Sequence, residues 1–262
     1  MCRRIERSVA ILVLFLGAVV MACDPPTMPL PSEAIAFVPP ASYRVHWRVT
    51  EFCSGLSGSY DRLRWYRTSG SASTGGPYAD GTYYPDGHRI VLSESALEDG
   101  SVIRHEMLHA LQPTIERHTP NFMVACRGVV SCNGDCVAKA GGRGLQPGPG
   151  SRALWPDSLE VSTIVLAPRP GDSSFAAVMI SARNPRDEAI WIDLAGLHFR
   201  QFICRIGISP CGRAYMYGSD SAAFAPREKR SEVHVIHTPP GVYTFNTFFN
   251  THAAAPVTLI VP

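Results

Sequence analysis

Apolar and polar positions change period several times along this chain. Residues 9–20 (VAILVLFLGAVV) are apolar and uncharged throughout. Residues 43–53 (YRVHWRVTEFC) alternate apolar and polar side chains, the period of a half-buried strand. Residues 61–68 (DRLRWYRT) fit either a strand or a helical turn, 68–87 read as a loop rich in Ser, Gly and Tyr, and 88–93 (HRIVLS) are strand-like again. From about 99 to 112 the period lengthens to that of a helix. Val102, Met107, Leu108 and Leu111 make its apolar face, Asp99 or Ser101 can cap its start, and Pro113 stops it. Residues 139–151 (KAGGRGLQPGPGS) have too little apolar surface to fold and form a join. Beyond it, segments 159–167, 174–184, 189–194, 197–206, 233–237, 242–249 and 256–261 are short, rich in β-branched or aromatic residues and separated by turn formers such as Pro168, Gly171, Pro210 and Gly241. That pattern predicts an all-β sandwich over 152–262.

Composition narrows the function classes. Lys and Arg number 24 against 22 Asp and Glu, a net charge of +2, and no long basic run occurs, which argues against nucleic acid as the main partner. The 22 Gly and 22 Pro come partly from the join and partly from a Pro-rich stretch near the N-terminus. Arg3, Arg4 and Arg7 precede the 9–20 apolar run, which is shorter than a bilayer span; this is the layout of an export signal over 1–22. The run ends in Val20, Met21, Ala22 and Cys23, which resembles the lipobox of bacterial lipoproteins, with Met21 larger than usual at its position. The resemblance implies a lipidated Cys23 as membrane anchor, a tether over 23–40 and a location in the bacterial cell envelope, facing the periplasm or exterior. The competing reading is an ordinary signal peptide with Cys23 incidental.

Eight cysteines then divide. Cys2 leaves with the signal and Cys23 carries lipid, so Cys53, Cys126, Cys132, Cys136, Cys204 and Cys211 remain for disulfides in an oxidising compartment. Cys204 and Cys211 are expected to pair across a hairpin, leaving the pairing of the other four open. A structural zinc site from Cys126, Cys132 and Cys136 is the rival, but their spacing lacks the paired C-x₂-C of a zinc ribbon.

The chemistry sits in His105-Glu106-Met107-Leu108-His109, an H-E-x-x-H motif on the predicted helix. Four residues are about 1.1 helical turns, so both imidazoles lie one above the other and can face one Zn²⁺, with Glu106 beside it as general base. In this motif the chain resembles the zincin metallopeptidases. The resemblance spans about residues 88–126 and implies a mostly antiparallel sheet over the active-site helix. It further implies His105 and His109 as zinc ligands, Glu106 as the catalytic residue, and 88–93 as the edge strand along which an extended peptide substrate lies. The third ligand departs from common patterns: Gln112 and Ile115 stand where a metzincin has Gly and His, and nothing acidic lies between 119 and 133. His118 is the expected third ligand, since the break at Pro113 lets the chain turn back, with Glu116 and Asp135 as alternatives. Tyr78, Tyr83, Tyr84 and His88 are weaker candidates for stabilising an oxyanion, and His198, His234, His237 and His252 lack ligand spacing.

The expected fold is therefore an α+β zincin-like domain over 41–138 followed, after the 139–151 join, by an immunoglobulin-like sandwich. Residues 176–185 resemble the strand and turn of immunoglobulin-like modules in bacterial surface proteins. The expected function is a zinc-dependent peptidase, with the sandwich available to bind another surface protein or a glycan. The alternative is an inactive zincin-fold lipoprotein serving as a binding or structural module.

Overall fold

In a computed structural model the described residues are 28–112, 118, 121–131, 159–169, 174–191, 198–207, 211–218, 223–249 and 252–262. They form a mixed α+β fold with two α-helices and mostly antiparallel sheets. The signal, Cys23 and the 139–151 join lie outside the described residues.

The N-terminal sheet contains β1 (Ile35–Ala36), β2 (Arg64–Thr68), β3 (Gly81–Tyr84) and β4 (Arg89–Ser93), in the order β1-β2-β4-β3. β2 and β4 run parallel, and the other two pairings are antiparallel. Ile90, Val91 and Leu92 are fully buried. A continuous apolar run of this kind belongs at the centre of a sheet, covered on both faces. The expectation that 88–93 forms the edge is thus corrected: the edge is β3, whose GTYY sequence lacks a clear strand pattern. The second half of the expected tether also joins the fold. β1 pairs with β2, and Phe37 packs edge-on against Tyr43 and Trp65.

Residues 43–53 are a helix, not a strand: they fall within α1 (Ser42–Ser54). The alternation has a helical origin. Tyr43 and Trp47, one turn apart, pack towards Trp65 and Ile90 of the sheet, while Val45 and Val49 pack with Ala177 and Met179. Two i,i+4 rows on different faces interleave as 43, 45, 47, 49 and mimic a period of two. The second helix, α2 (Gly100–Leu111), is capped by the Asp99 carboxylate, which accepts from the backbone N–H groups of Ser101 and Val102. Ile103, Met107 and Leu111 set α2 against the sheet, and Leu108 joins Val45 and Val49.

The remaining strands are β5 (Glu160–Leu166), β6 (Phe175–Arg183), β7 (Ile190–Trp191), β8 (His198–Arg205), β9 (Gly212–Gly218), β10 (Ala223–Phe224), β11 (Lys229–His237), β12 (Gly241–Phe249), β13 (His252–Ala253) and β14 (Val257–Val261). β6 lies between β11 and β5 in an antiparallel sheet. β12 is the hub of a second, pairing with β8, β13 and β14, while β9 extends it from β8. Ala176, Val178 and Ile180 of β6 share a core with Tyr243, Phe245, Leu259 and Val261. The alternate residues Ala177 and Met179 face α1, so β6 is buried on both sides.

Two disulfides are present among the described residues. Cys204–Cys211 closes the turn between β8 and β9, and Cys53–Cys126 ties α1 to the segment 121–131. Cys132 and Cys136 lie outside the described residues. The disulfides point to an oxidising, extracytoplasmic compartment. Among the described residues no helix is long and apolar enough to cross a membrane.

The 121–131 segment touches β11 where Gly128 has φ +76°, and a Cβ there would meet the Ser231 carbonyl oxygen at 2.2 Å. Gly128→Ala is expected to lower the unfolding free energy by about 1–3 kcal/mol through steric and left-handed backbone strain, read as a lower urea midpoint.

Candidate metal centre

α2 presents a different task on each face. Its start is fixed by the Asp99 cap and its apolar stripe by the sheet, which turns His105 and His109 towards the returning chain. There they meet His118. The His105 Nε2 atom lies 3.2 Å from His109 Nε2 and 3.2 Å from His118 Nε2, and all three donor atoms fall within 4.8 Å of one another. Four-coordinate zinc with bonds of about 2.0–2.1 Å would space its ligand nitrogens about 3.3–3.4 Å apart, close to the two separations from His105. Three imidazoles suit zinc and other borderline transition metals and are poor ligands for Mg²⁺ or Ca²⁺.

The surroundings fix the ring states. The Ser131 carbonyl can only accept, so His105 donates from Nδ1 and keeps its Nε2 lone pair for the cluster. The Phe122 ring lies 4.6–4.9 Å from all three imidazole centroids and closes the site on one side. Burial lowers His105 to about 4, reinforced by His118 and opposed by the Ser131 carbonyl. His109 is lowered to about 3 by burial and by its two histidine neighbours. Neutral imidazoles with converging lone pairs are the state a divalent cation requires.

Glu106 projects from α2 towards β3 and is only 5% exposed. Burial pushes its carboxyl up to about 8, opposed by the Tyr83 backbone N–H, which it accepts. Gly81 makes room for it: a Cβ at 81 would lie 2.8 Å from Glu106 Cγ. Glu106 is not part of the cluster of donor atoms, which leaves it as a neighbour of the site and not a ligand.

The weaker candidates separate. Tyr83 bonds through its hydroxyl to His88 Nδ1, and burial raises its pKa. Tyr84 is buried with its hydroxyl on the Ala72 carbonyl, a packing role, and Tyr78 is exposed. Glu116 and Asp135 lie outside the described residues, as do the structural surroundings of the Pro113 break. Of the C-terminal histidines, His234 faces a cleft and His237 bonds to the Ser174 hydroxyl. Phe122 and Ser131 were missed from the sequence because an apolar ring and a main-chain carbonyl carry no motif.

A separate cleft of about 720 Å³ runs between α1, the start of α2 and β11, and includes His46, Asp99, Arg104, Glu232 and His234. Arg104, 4% exposed, donates to the Val129 carbonyl and to His46 Nδ1. No metal-ligand set converges there among the described residues, so the three histidines remain the stronger site.

No protein-family model matches the chain, and no curated protein does. Among solved structures, the chain is similar over 39% of its length to the Pseudomonas fluorescens alkylpurine DNA glycosylase AlkC, at 8% identity and a TM-score of 0.28, spanning 30% of that chain. The sensor domain of the anti-sigma factor RsgI4 of Pseudobacteroides cellulosolvens matches over 40% of this chain and 94% of its own, at 10% identity and 0.25. The putative ApaA protein of Bordetella pertussis matches over 40% and 95%, at 15% identity and 0.26. Similarities of this size carry no conclusion about activity.

The buried groups set a pH dependence. Burial lowers His46 to about 3 and His234 to about 4, in both cases reinforced by Arg104, alongside the two α2 histidines. As pH falls below about 6.5 the unfolded chain protonates these imidazoles and the folded chain does not, so stability is lost. Burial raises Glu106 to about 8 and Glu232 to about 7, so those two lose stability for the fold as pH rises from about 4.5 to 8. Between about 4.5 and 6.5 the four imidazoles outweigh the two carboxyls, and above that window the carboxyls act alone. The urea midpoint of the metal-free protein is expected to peak near about pH 6.5 and fall on either side.

Proposed function

We propose that this protein is a zinc-dependent peptidase of the zincin kind, working outside the cytoplasm and held to the envelope through a lipidated Cys23. The observation that carries the reading is the convergence of donor nitrogens of His105, His109 and His118 within 4.8 Å of one another, with Glu106 on the same helix and not among them. The mixed sheet above α2 and the two antiparallel sheets that share a core through β6 and β12 support a zincin-like region followed by an immunoglobulin-like sandwich.

His105, His109 and His118 would hold the ion, the first oriented by the Ser131 carbonyl. Zinc bound there supplies Lewis acidity, polarising a substrate carbonyl and lowering the pKa of water towards neutrality. Glu106 takes a proton from the attacking water at its carboxylate and returns it to the leaving amine. Among the described residues β3 pairs only with β4, so its outer edge can accept an extended peptide by backbone hydrogen bonds. That strand also donates the Tyr83 N–H to Glu106, which couples the position of the base to the strand that would seat the substrate.

Elemental analysis of purified protein is expected to give about one equivalent of zinc, lost in His118→Ala. Glu106→Gln is expected to keep zinc and to lower peptide hydrolysis by about 10²-fold or more. Zinc without hydrolysis of any peptide would leave an inactive binding module, and protein that takes up no zinc would remove both readings.

A further inference from the structure

The third ligand belongs to a segment that also supplies most of the site's other walls. His118 is at one end, and a short helical turn, Asn121–Ala125, follows with Phe122 against the three imidazoles. Ser131 is at the other end, donating its N–H to the Ser101 carbonyl and accepting from His105 Nδ1. Cys126 lies between, eight residues after His118 and five before Ser131. Its backbone organises both halves: its N–H reaches back to the Asn121 carbonyl, and its own carbonyl accepts from Val129 and Val130. Its sulfur is bonded to Cys53 in the last turn of α1, a helix pinned to the sheet by Tyr43 and Trp47.

We propose that the Cys53–Cys126 disulfide positions the third ligand and the Ser131 carbonyl, so that the redox state of this one bond sets how tightly the site holds its metal. The inference rests on reading the three histidines as metal ligands. The bond joins residues 73 apart, and the loop between them contains β2, β3, β4 and α2, which carries the other two histidines. With the bond closed, the segment has few arrangements besides the one that presents His118. With it open, burial of Phe122, Val129 and Val130 still favours that arrangement but no longer imposes it. Apparent metal affinity falls by the fraction of molecules in which the segment is in place.

The chemistry balances with an external dithiol as reductant. Cys126 is fully buried and Cys53 only partly, so a thiolate attacks the Cys53 sulfur and Cys126 departs as a thiolate that takes up a proton. The second thiol of the reductant resolves the mixed disulfide, releases Cys53 as a thiol and leaves as its own disulfide, two electrons and two protons having passed to the protein. Linkage makes the effect reciprocal: a metal that binds the oxidised form more tightly makes the disulfide harder to reduce.

The test uses the full chain and Zn²⁺ in competition with a chromophoric chelator. The double variant Cys53→Ser, Cys126→Ser is expected to bind zinc about 10–100-fold more weakly, the range found when groups that orient metal ligands are lost. The double variant Cys204→Ser, Cys211→Ser, which opens the disulfide in the β8–β9 turn, is expected to bind as the unaltered protein does. Equal affinity in all three would overturn the proposal while leaving the metal site intact. An unaltered protein that binds no zinc would instead overturn the metal reading and this inference with it. Should the first double variant not fold, the unaltered protein decides: alkylation of Cys53 in graded redox buffers, with and without zinc, is expected to show a midpoint about 30 mV more negative with zinc for each tenfold difference in affinity. No shift would overturn the proposal.

Discussion

Helix α2 has neighbours on almost every side, and its twelve residues must satisfy all of them at one rotation. Met107 and Leu108 are fully buried against different partners, one under the sheet and the other against α1. Each contributes about 1.5–3 kcal/mol by leaving water. Turning the helix by one residue would expose these and drive Arg104 or Glu106 into the apolar stripe. The 100° step between successive residues then dictates the rest: with Met107 under the sheet, Glu106 faces β3, and His105 and His109 face the returning chain. The register of the motif is thus a consequence of core packing.

That packing carries costs which the surroundings offset. Arg104 and Glu106 are ionisable side chains buried on either side of His105, and an unpaired buried polar group is expensive. Arg104 is met by the Val129 carbonyl and by His46, and Glu106 by the Tyr83 N–H. Val129 and Ser131 bind residues 104 and 105 from the same short stretch of chain, so the segment 126–131 works as a clamp along α2. α1 supports that clamp from below, and β6 supports α1. A strand buried on both faces is what lets residues beyond 159 contribute to the core around the histidines.

The parts of this arrangement that were legible in the sequence are those whose physics is local. Asp99 as a cap, the α2 periodicity and the His105–His109 spacing depend on neighbours within a turn or two, and a search confined to the chain could find them. α1 was misread because two buried rows, Tyr43–Trp47 and Val45–Val49, occupy separate faces of one helix, and their interleaving erases the 3.6-residue signal. The edge position of β3 was hidden because Gly81 is required by the Glu106 side chain, a contact with a residue 25 positions away, and glycine weakens the strand pattern. Ser131 acts through its main-chain carbonyl and could have been any residue. Cys53 and Cys126 were recognisable as disulfide partners in kind but not as a pair, since pairing depends on where α1 sits.

The three imidazoles could hold a metal ion, and their packing bears on what such an ion would change. Three imidazoles share a half-buried space, where His118 lowers the tendency of His105 and His109 to take up a proton and His105 lowers that of His109. Protonating any of them would bring an uncompensated charge beside Phe122 and apply repulsion to the other two. When they are neutral, their ring nitrogens stand 3.2 Å apart, with His109 or His118 able to donate to the His105 Nε2 lone pair. A cation at the centre would accept all three Nε2 lone pairs without adding a proton. The binding free energy of an ion there would be coupled to whatever holds the third imidazole in place. That coupling would run through the segment that carries His118, Phe122 and Ser131, which α1, the clamp on α2 and the Cys53–Cys126 bond hold in place.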